Sequence, residues 1–451
     1  MAAPFAFLGR LFRASAPEPV QRRSYDAASP ARTRFNGGAS RFSSYGPETA
    51  AAGPSIRSRA RHAAENNALA AAALAAWVDA TIGPGIMPTS QHPDPETRTL
   101  LDAGFARWAK RADAQGRADF FGLQAAVARA ERIDGEALLL WQGDQLLHLP
   151  PEQLADLTTD RIAAGVELDD AGRALAFHIH PSRPDGMQAT YAPPVRVPAE
   201  DVAHVFEPKG PGQVRGVSAL SASLLAMAEL DAVEDALITQ TKIAALLSVI
   251  LTDQAEMAGE DPLSDGQTLE PGAILRMSGN WRVDTVAPQQ SQQAGEFLRH
   301  MTNRIAAGCG IPTYLISHNV SSANYSSLRA ALVAFRQRVE RYQFQVLVPQ
   351  FLDPVWRRVA TLTALDHGLP IDGNLFAVEW IPPAQPWIDP AKDADATLTL
   401  MGAGLMSRRQ AVAGLGYAVE ALDAEIAADR QREAALGLAF NSTTTPRPQD
   451  E

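Results

Sequence analysis

Residues 204–218, HVFEPKGPGQVRGVS, carry the chain from the end of a strand, through a glycine-rich turn, into its longest helical pattern. Residues 202–206 have the composition of a half-buried strand. Gly210, Gly212 and Gly216 then supply the backbone freedom of a turn, and Ser218 stands where its hydroxyl oxygen can accept from the first free N–H groups of a helix. Leu220, Leu224, Met227, Leu230, Val233 and Leu237 recur every three or four residues along 219–251, one face of a rod roughly 48 Å long. Strands feeding long helices make the expected fold class α+β, mainly helical.

Upstream, 137–141 and 145–149 flank Gln142, Gly143 and Asp144 as a hairpin does. Residues 166–168 and 175–180 flank a second turn sequence, Asp169, Asp170, Ala171 and Gly172. Three helical stretches precede this β region: one from Ser55 through Trp77 to the stop at Gly83, Pro84 and Gly85, one over 95–110, and one over 118–134. Residues 1–54, rich in Ala, Ser, Pro, Gly and Arg without apolar period, are expected to form a disordered basic arm.

Downstream, 252–288 is a polar excursion with strand-like 274–277 and 281–283. A helix over 291–307 follows, with Phe297, Met301 and Ile305 four apart, ended by Gly308, Gly310 and Pro312. After a connection, a helix over 326–348 places Leu328, Leu332, Phe335, Val339 and Tyr342 inward and Arg329, Arg336, Arg338 and Arg341 outward, until Pro349 and Pro354 are expected to break it. Residues 380–390 are rich in proline and tryptophan, further helices run to about Leu438, and 441–451 reads as a frayed tail.

The 451 residues, 46% apolar, suffice for two or three packed regions. Cys309 is the one cysteine, which excludes an intramolecular disulfide and paired-cysteine zinc patterns. The longest apolar run, 68–78, is about eleven residues, short of the roughly 18–20 a bilayer requires, so no membrane span is expected. Residues 1–62 hold ten arginines against three acids, or +7; with −11 for the whole chain, the remainder carries −18. An acidic body is the reverse of what a tight phosphate binder needs.

Signatures of catalysis are missing. There is no Gly-x-x-x-x-Gly-Lys loop to cradle nucleotide phosphates. The glycines at 210, 212 and 216 lack dinucleotide-binding spacing, and Leu220 stands where a nucleophile elbow at Ser218 would need glycine. His178 and His180 share a strand face with no third ligand at useful spacing, and Asp366 and His367 precede Gly368 and Pro370 as in an exposed turn. Glu229, Asp231, Glu234 and Asp235 read as the solvated side of the long helix; a metal-dependent nuclease built on Asp231, Glu234 and Asp235 is the enzymatic alternative. No enzymatic activity, metal or cofactor is expected.

Several segments, in this order, resemble the portal proteins of lambda-type tailed bacteriophages. Arg57, Arg59 and Arg61 with Glu65, Asn66 and Asn67, then Gly83, Pro84 and Gly85, resemble that family's opening. Gly135 and Glu136 and the strand ending in His178, Ile179 and His180 follow. The central motif is His204, Val205, Phe206 leading to Gly212, Gln213, Val214, Arg215, Gly216, Val217 and Ser218. Ile305, Ala306, Ala307 and Gly308 precede Asn324, Tyr325, Ser326, Ser327, Leu328 and Arg329; Trp387, Ile388, Asp389, Pro390 and Lys392 complete the series, with Asp393 where the family pattern has glutamate.

The resemblance implies a non-enzymatic ring subunit, about twelve copies at one capsid vertex, forming a channel for DNA packaging and ejection and joining head to tail. It implies terminase, major capsid and scaffold proteins, head-completion proteins and passing duplex DNA as partners, with assembly in the host cytoplasm and residence in the virion. It also implies a wing over 55–218, a stem over 219–310 with a clip insert at 252–288, a tunnel loop over 311–325, a channel helix and wing return over 326–390, and a helical crown over 391–440. In that frame Ser317, His318, Asn319, Ser321 and Ser322 face DNA, and 311–323 contains no Lys or Arg. The competing reading is a plain connection whose Leu315 and Ile316 pack on the body. A ring of acidic copies would repel phosphates and let a duplex slide. The structural alternative is another connector or scaffold protein of the same particle, without the stem hairpin.

Overall fold

The computed structural model describes residues 25, 42, 44–186, 192–246, 250–253, 281–284, 292–321, 325–384 and 389–438. Helix α1 (Tyr45–Asn66) starts ten residues earlier than the sequence suggests and carries Pro54 in its interior. Residues 45–54 are therefore not part of a disordered arm. Burial of Thr49, Ala52 and Gly53 in the same turns outweighs the roughly 3 kcal/mol an interior proline costs. A break at Asn67, whose side chain accepts from the Ala70 amide, separates α1 from α2 (Ala68–Thr81). Strand β1 (Met87–Ser90), α3 (Pro95–Ala109), capped by Asp94, and α4 (Phe120–Asp134), capped by Asp119, complete the opening.

Strands β2 (Ala137–Gln142) and β3 (Gln145–Leu149) form the expected hairpin. Strands β4 (Ile162–Ala163), β5 (Val166–Leu168), β6 (Ala174–Ile179) and β7 (Val195–Pro198) make an antiparallel sheet in that order. Strand β8 (Val202–Val205) returns to the hairpin, with Leu138 opposite His204, giving the order β3-β2-β8.

A short 3-10 turn capped by Ser218 leads into α5 (Leu224–Leu246), and α6 (Gln292–Cys309) packs against it. Between them in the chain, β9 (Ile250–Asp253) and β10 (Trp281–Asp284) pair antiparallel; the expected strand at 274–277 lies outside the described residues. Helix α7 (Thr313–Ser317) occupies part of the expected tunnel loop. Helix α8 (Tyr325–Tyr342) continues through a π-helical stretch (Gln343–Leu352) into α9 (Asp353–His367), so neither proline ends it. The wider π turn accommodates the missing N–H of Pro349, and Pro354 falls in the first turn of α9. Strand β11 (Val378–Ile381) pairs with β1, and α10 (Pro390–Gly402), α11 (Arg408–Gly414) and α12 (Val419–Leu436) close the chain.

The main core joins Trp77, Phe105, Trp108 and Phe120 to Tyr342, Phe351, Trp356 and Trp380. The N-terminal helices and the α8–α9 rod are thus one body. A second core sets α1 residues Ala52, Ile56 and Ala60 against Leu220, Leu224, Met227 and Leu230 at the foot of α5 and Met301 and Ile305 of α6.

Candidate functional site

Glu136 directly follows the glycine that ends α4, and it is fully buried. Arg215 donates from Nε to both carboxylate oxygens at 2.9 Å and from Nη2 to Oε1 at 2.6 Å. The Gly216 amide and His204 Nε2 donate to Oε2 at 3.1 and 2.9 Å, and Arg57 Nη1 stands 3.7 Å from Oε1. Burial alone would raise this carboxyl's pKa; the Arg215 charge and the hydrogen bonds from His204 and Arg215 reverse that and hold it well below the usual range. Arg215 also donates to the carbonyls of Pro151 and Ala164, so one guanidinium ties four segments together. Beside it Arg61 bridges Asp134 and Glu152.

The glycines of the motif are fixed by contact. A Cβ on Gly216 would lie 1.8 Å from the Gly135 carbonyl oxygen, and Gly135, at φ +89°, is itself closed against the backbone of Val217 and Ser218. Gln213 accepts from the Lys209 amide and donates to the Arg215 carbonyl, holding the turn that presents Arg215. The central motif is a lock that fixes the segment entering α5 to the α4–β2 corner. Arg57 and Arg61, counted with the basic leading segment in the sequence, belong instead to this buried network.

The other motif residues also meet in pairs. Arg329 of α8 stands 3.7 Å from Asp393 of α10. Asp389 caps α10, with Pro390 at its first turn, and the Asp389 amide donates to Asp393. Tyr325, Ser326 and Ser327 open α8. Ser322, Asn324 and Trp387 lie outside the described residues.

In the expected tunnel loop, Pro312 precedes α7, Ile316 is buried and Leu315 packs against the main core. This half of the segment is anchored to the body rather than free. The Ser317 hydroxyl donates back to the Thr313 carbonyl, and His318, at φ +52°, turns the chain outward. His318, Asn319, Val320 and Ser321 are exposed, with Asn319 Oδ1 accepting from the amide and hydroxyl of Ser321.

The remaining candidates have structural partners. Asp231 accepts twice from Asn67 Nδ2, at 2.9 and 3.0 Å, pinning α5 to the α1–α2 break. His178 lies 3.6 Å from Glu167, and Asp366 and His367 end α9 before a left-handed Gly368. Among the described residues no cluster of three His, Cys, Asp or Glu could hold a metal, and no helix is long and apolar enough to cross a membrane. A second buried group was not legible in the sequence: Arg132 stacks on Trp77 and Tyr342, at 3.6 and 4.7 Å from the ring centres, beside buried Glu131. No local pattern links residues so far apart in the chain.

The family profile described as "Phage portal protein, lambda family" matches residues 33–343, which contain the whole Glu136–Arg215 lock and helices α5 and α6. The chain belongs to the lambda family of phage portal proteins. As a portal protein it is a connector component of the virion. It is 23% identical over 382 residues to the "Probable portal protein" of Halomonas phage phiHAP-1, covering 76% of this chain and 74% of that one. It is 26% identical over 334 residues to the "Portal protein" of Escherichia phage N15, covering 64% of this chain and 62% of the relative, so it spans less than two thirds of the N15 portal protein's length. A chain in the solved virion of a native gene transfer agent particle superposes with a TM-score of 0.48 at 16% identity, over 88% of this portal protein and 95% of that chain.

Proposed function

We propose that about twelve copies of this portal protein form a ring around a channel at one capsid vertex, through which duplex DNA is packaged and ejected, and that the chain itself has no catalytic activity. The observation that carries the reading is the exposure gradient along α5. Leu224, Ala226, Met227 and Leu230 are buried, whereas no residue from Asp231 to Lys242 is, and Ile238 is half exposed. On α6 the same gradient runs from buried Ile305 and Met301 to half-exposed Phe297. Among the described residues the helix pair is buried at its foot alone, which leaves apolar side chains that neighbouring copies in a ring would cover.

In this reading α5 and α6 form the stem, β9 and β10 begin the clip, and α10 to α12 form the crown. Terminase and head-completion proteins meet the clip, and the capsid and scaffold proteins meet the body. His318, Asn319 and Ser321, with Ser317 behind them, border the channel. A neutral tip on an acidic body suits a wall past which a polyanion slides. Mass photometry of the purified protein tests the assembly: a species about twelve times the mass of the 48.3 kDa chain is expected, and monomers alone across a range of salt would refute it.

A further inference from the structure

A cleft of about 250 Å³ opens at the foot of the stem, where the end of α6, the segment entering α5, α4 and α8 converge. Its walls carry Arg132, Lys209, Arg338 and Arg341 against two acids, Glu131 and Glu207. Both acids are engaged from within: Glu207 by Arg341 at 2.6 Å and Arg132 at 3.6 Å, and Glu131 by Arg132 at 3.3 Å. Burial pushes the Glu131 carboxyl above its ordinary pKa and, against the pull of Glu207 and Glu131, the Lys209 amine below its own, so Arg338 is the firmest unpaired cation of the cleft among the described residues. Lys209 and Arg338 form no ion pair among the described residues. Gly310 leaves the room that the Arg338 guanidinium occupies at the cleft, since a Cβ there would collide with it.

Unmatched acids stand on the same hairpin. Asp231 of α5 is bonded to Asn67, but Glu234 and Asp235, one turn further out, are exposed and without an ion pair among the described residues. Ile238, half exposed, lies one turn beyond them. We propose that in the assembled ring Glu234 and Asp235 of one copy seat in the Lys209–Arg338 cleft of the next, with Ile238 covered by the same contact. The inference rests on the ring reading and adds the contact that sets the register between adjacent stems. A second copy is the occupant favoured here because the acids and the cations are in surplus on one chain and complementary in charge. Two such clusters repeated around a closed ring satisfy each other at every interface.

Charge exchange tests this. Lys209→Glu with Arg338→Glu, and separately Glu234→Lys with Asp235→Lys, should each lower the fraction of full-length protein in rings by roughly tenfold at low salt. The four-site variant should recover most of it. Mass photometry reads the ring fraction, and circular dichroism melting of each variant identifies any that fails to fold. Unchanged rings in the two-site variants, or a four-site variant worse than either, overturns the contact while leaving the ring reading intact. Wild-type protein that forms no ring overturns both. Loss of duplex retention in the Lys209/Arg338 variant with normal rings assigns the cleft to phosphate instead and also overturns the proposal.

Discussion

Glu136 and Arg215 stand 79 residues apart in the chain and form a two-armed ion pair in which the carboxylate is fully buried. Arg215 lies on the segment that feeds α5, and Glu136 at the corner where α4 gives way to β2. Any displacement of the foot of α5 relative to the α4–β2 corner must strain this pair or carry the corner with it.

Removing one side of the lock should be far worse than replacing both. Glu136→Gln removes the carboxylate that Arg215 grips in a buried site and leaves Arg57 with Glu152, 3.6 Å away, as its remaining acid, for a loss of about 3–5 kcal/mol. Glu136→Leu with Arg215→Met should lose clearly less than the sum of its single changes. Urea midpoints of the four proteins measure the coupling; simple additivity would mean the pair is not the joint described.

The same carboxylate sets an acid limit. Its folded pKa lies below the unfolded value, so the folded state holds it ionised where the unfolded state would take up a proton. The stabilisation is complete above the ordinary glutamate pKa of about 4.3 and is lost progressively as pH falls below it. Melting temperature should drop steeply below about pH 4 in the wild type and more shallowly in the Glu136→Leu, Arg215→Met double variant.

Glu131 has the opposite sign. Burial raises its folded pKa, so the protein loses stability as pH rises from the unfolded pKa toward the folded one. The difference in melting temperature between Glu131→Gln and wild type should therefore grow in favour of the variant as pH rises above the ordinary glutamate pKa of about 4.3. A difference that is flat with pH would show Glu131 to be ionised throughout.

Two glycines separate contact from conformation. Gly143 has φ +67° with nothing near its missing Cβ, so Gly143→Ala should cost only about 1–2 kcal/mol for the left-handed backbone. Gly216→Ala places a carbon 1.8 Å from a carbonyl oxygen and should destroy folding or lower the melting temperature much further.

Much of this architecture is readable from pattern. The hairpin at Gly143, the turn at Gly172 and the long helix after Ser218 are local features, set by alternation, turn residues and three-four spacing. The early start of α1 at Tyr45 and the passage of a helix through Pro349 are not, because both depend on buried neighbours that override proline's preference. Pairing of Thr89 with Glu379 is equally invisible, since no local signal marks a partner so remote. For the site, the resemblance singled out Gln213, Arg215 and Gly216, yet only the fold places Glu136 beneath them, and only the fold reveals that Arg329 approaches Asp393.

End-on electron-microscopy class averages of the purified full-length protein test the central claim most directly. Closed rings of equivalent subunits around an opening that admits a duplex are the predicted result. Compact particles without a hole, or open chains that never close, would contradict it.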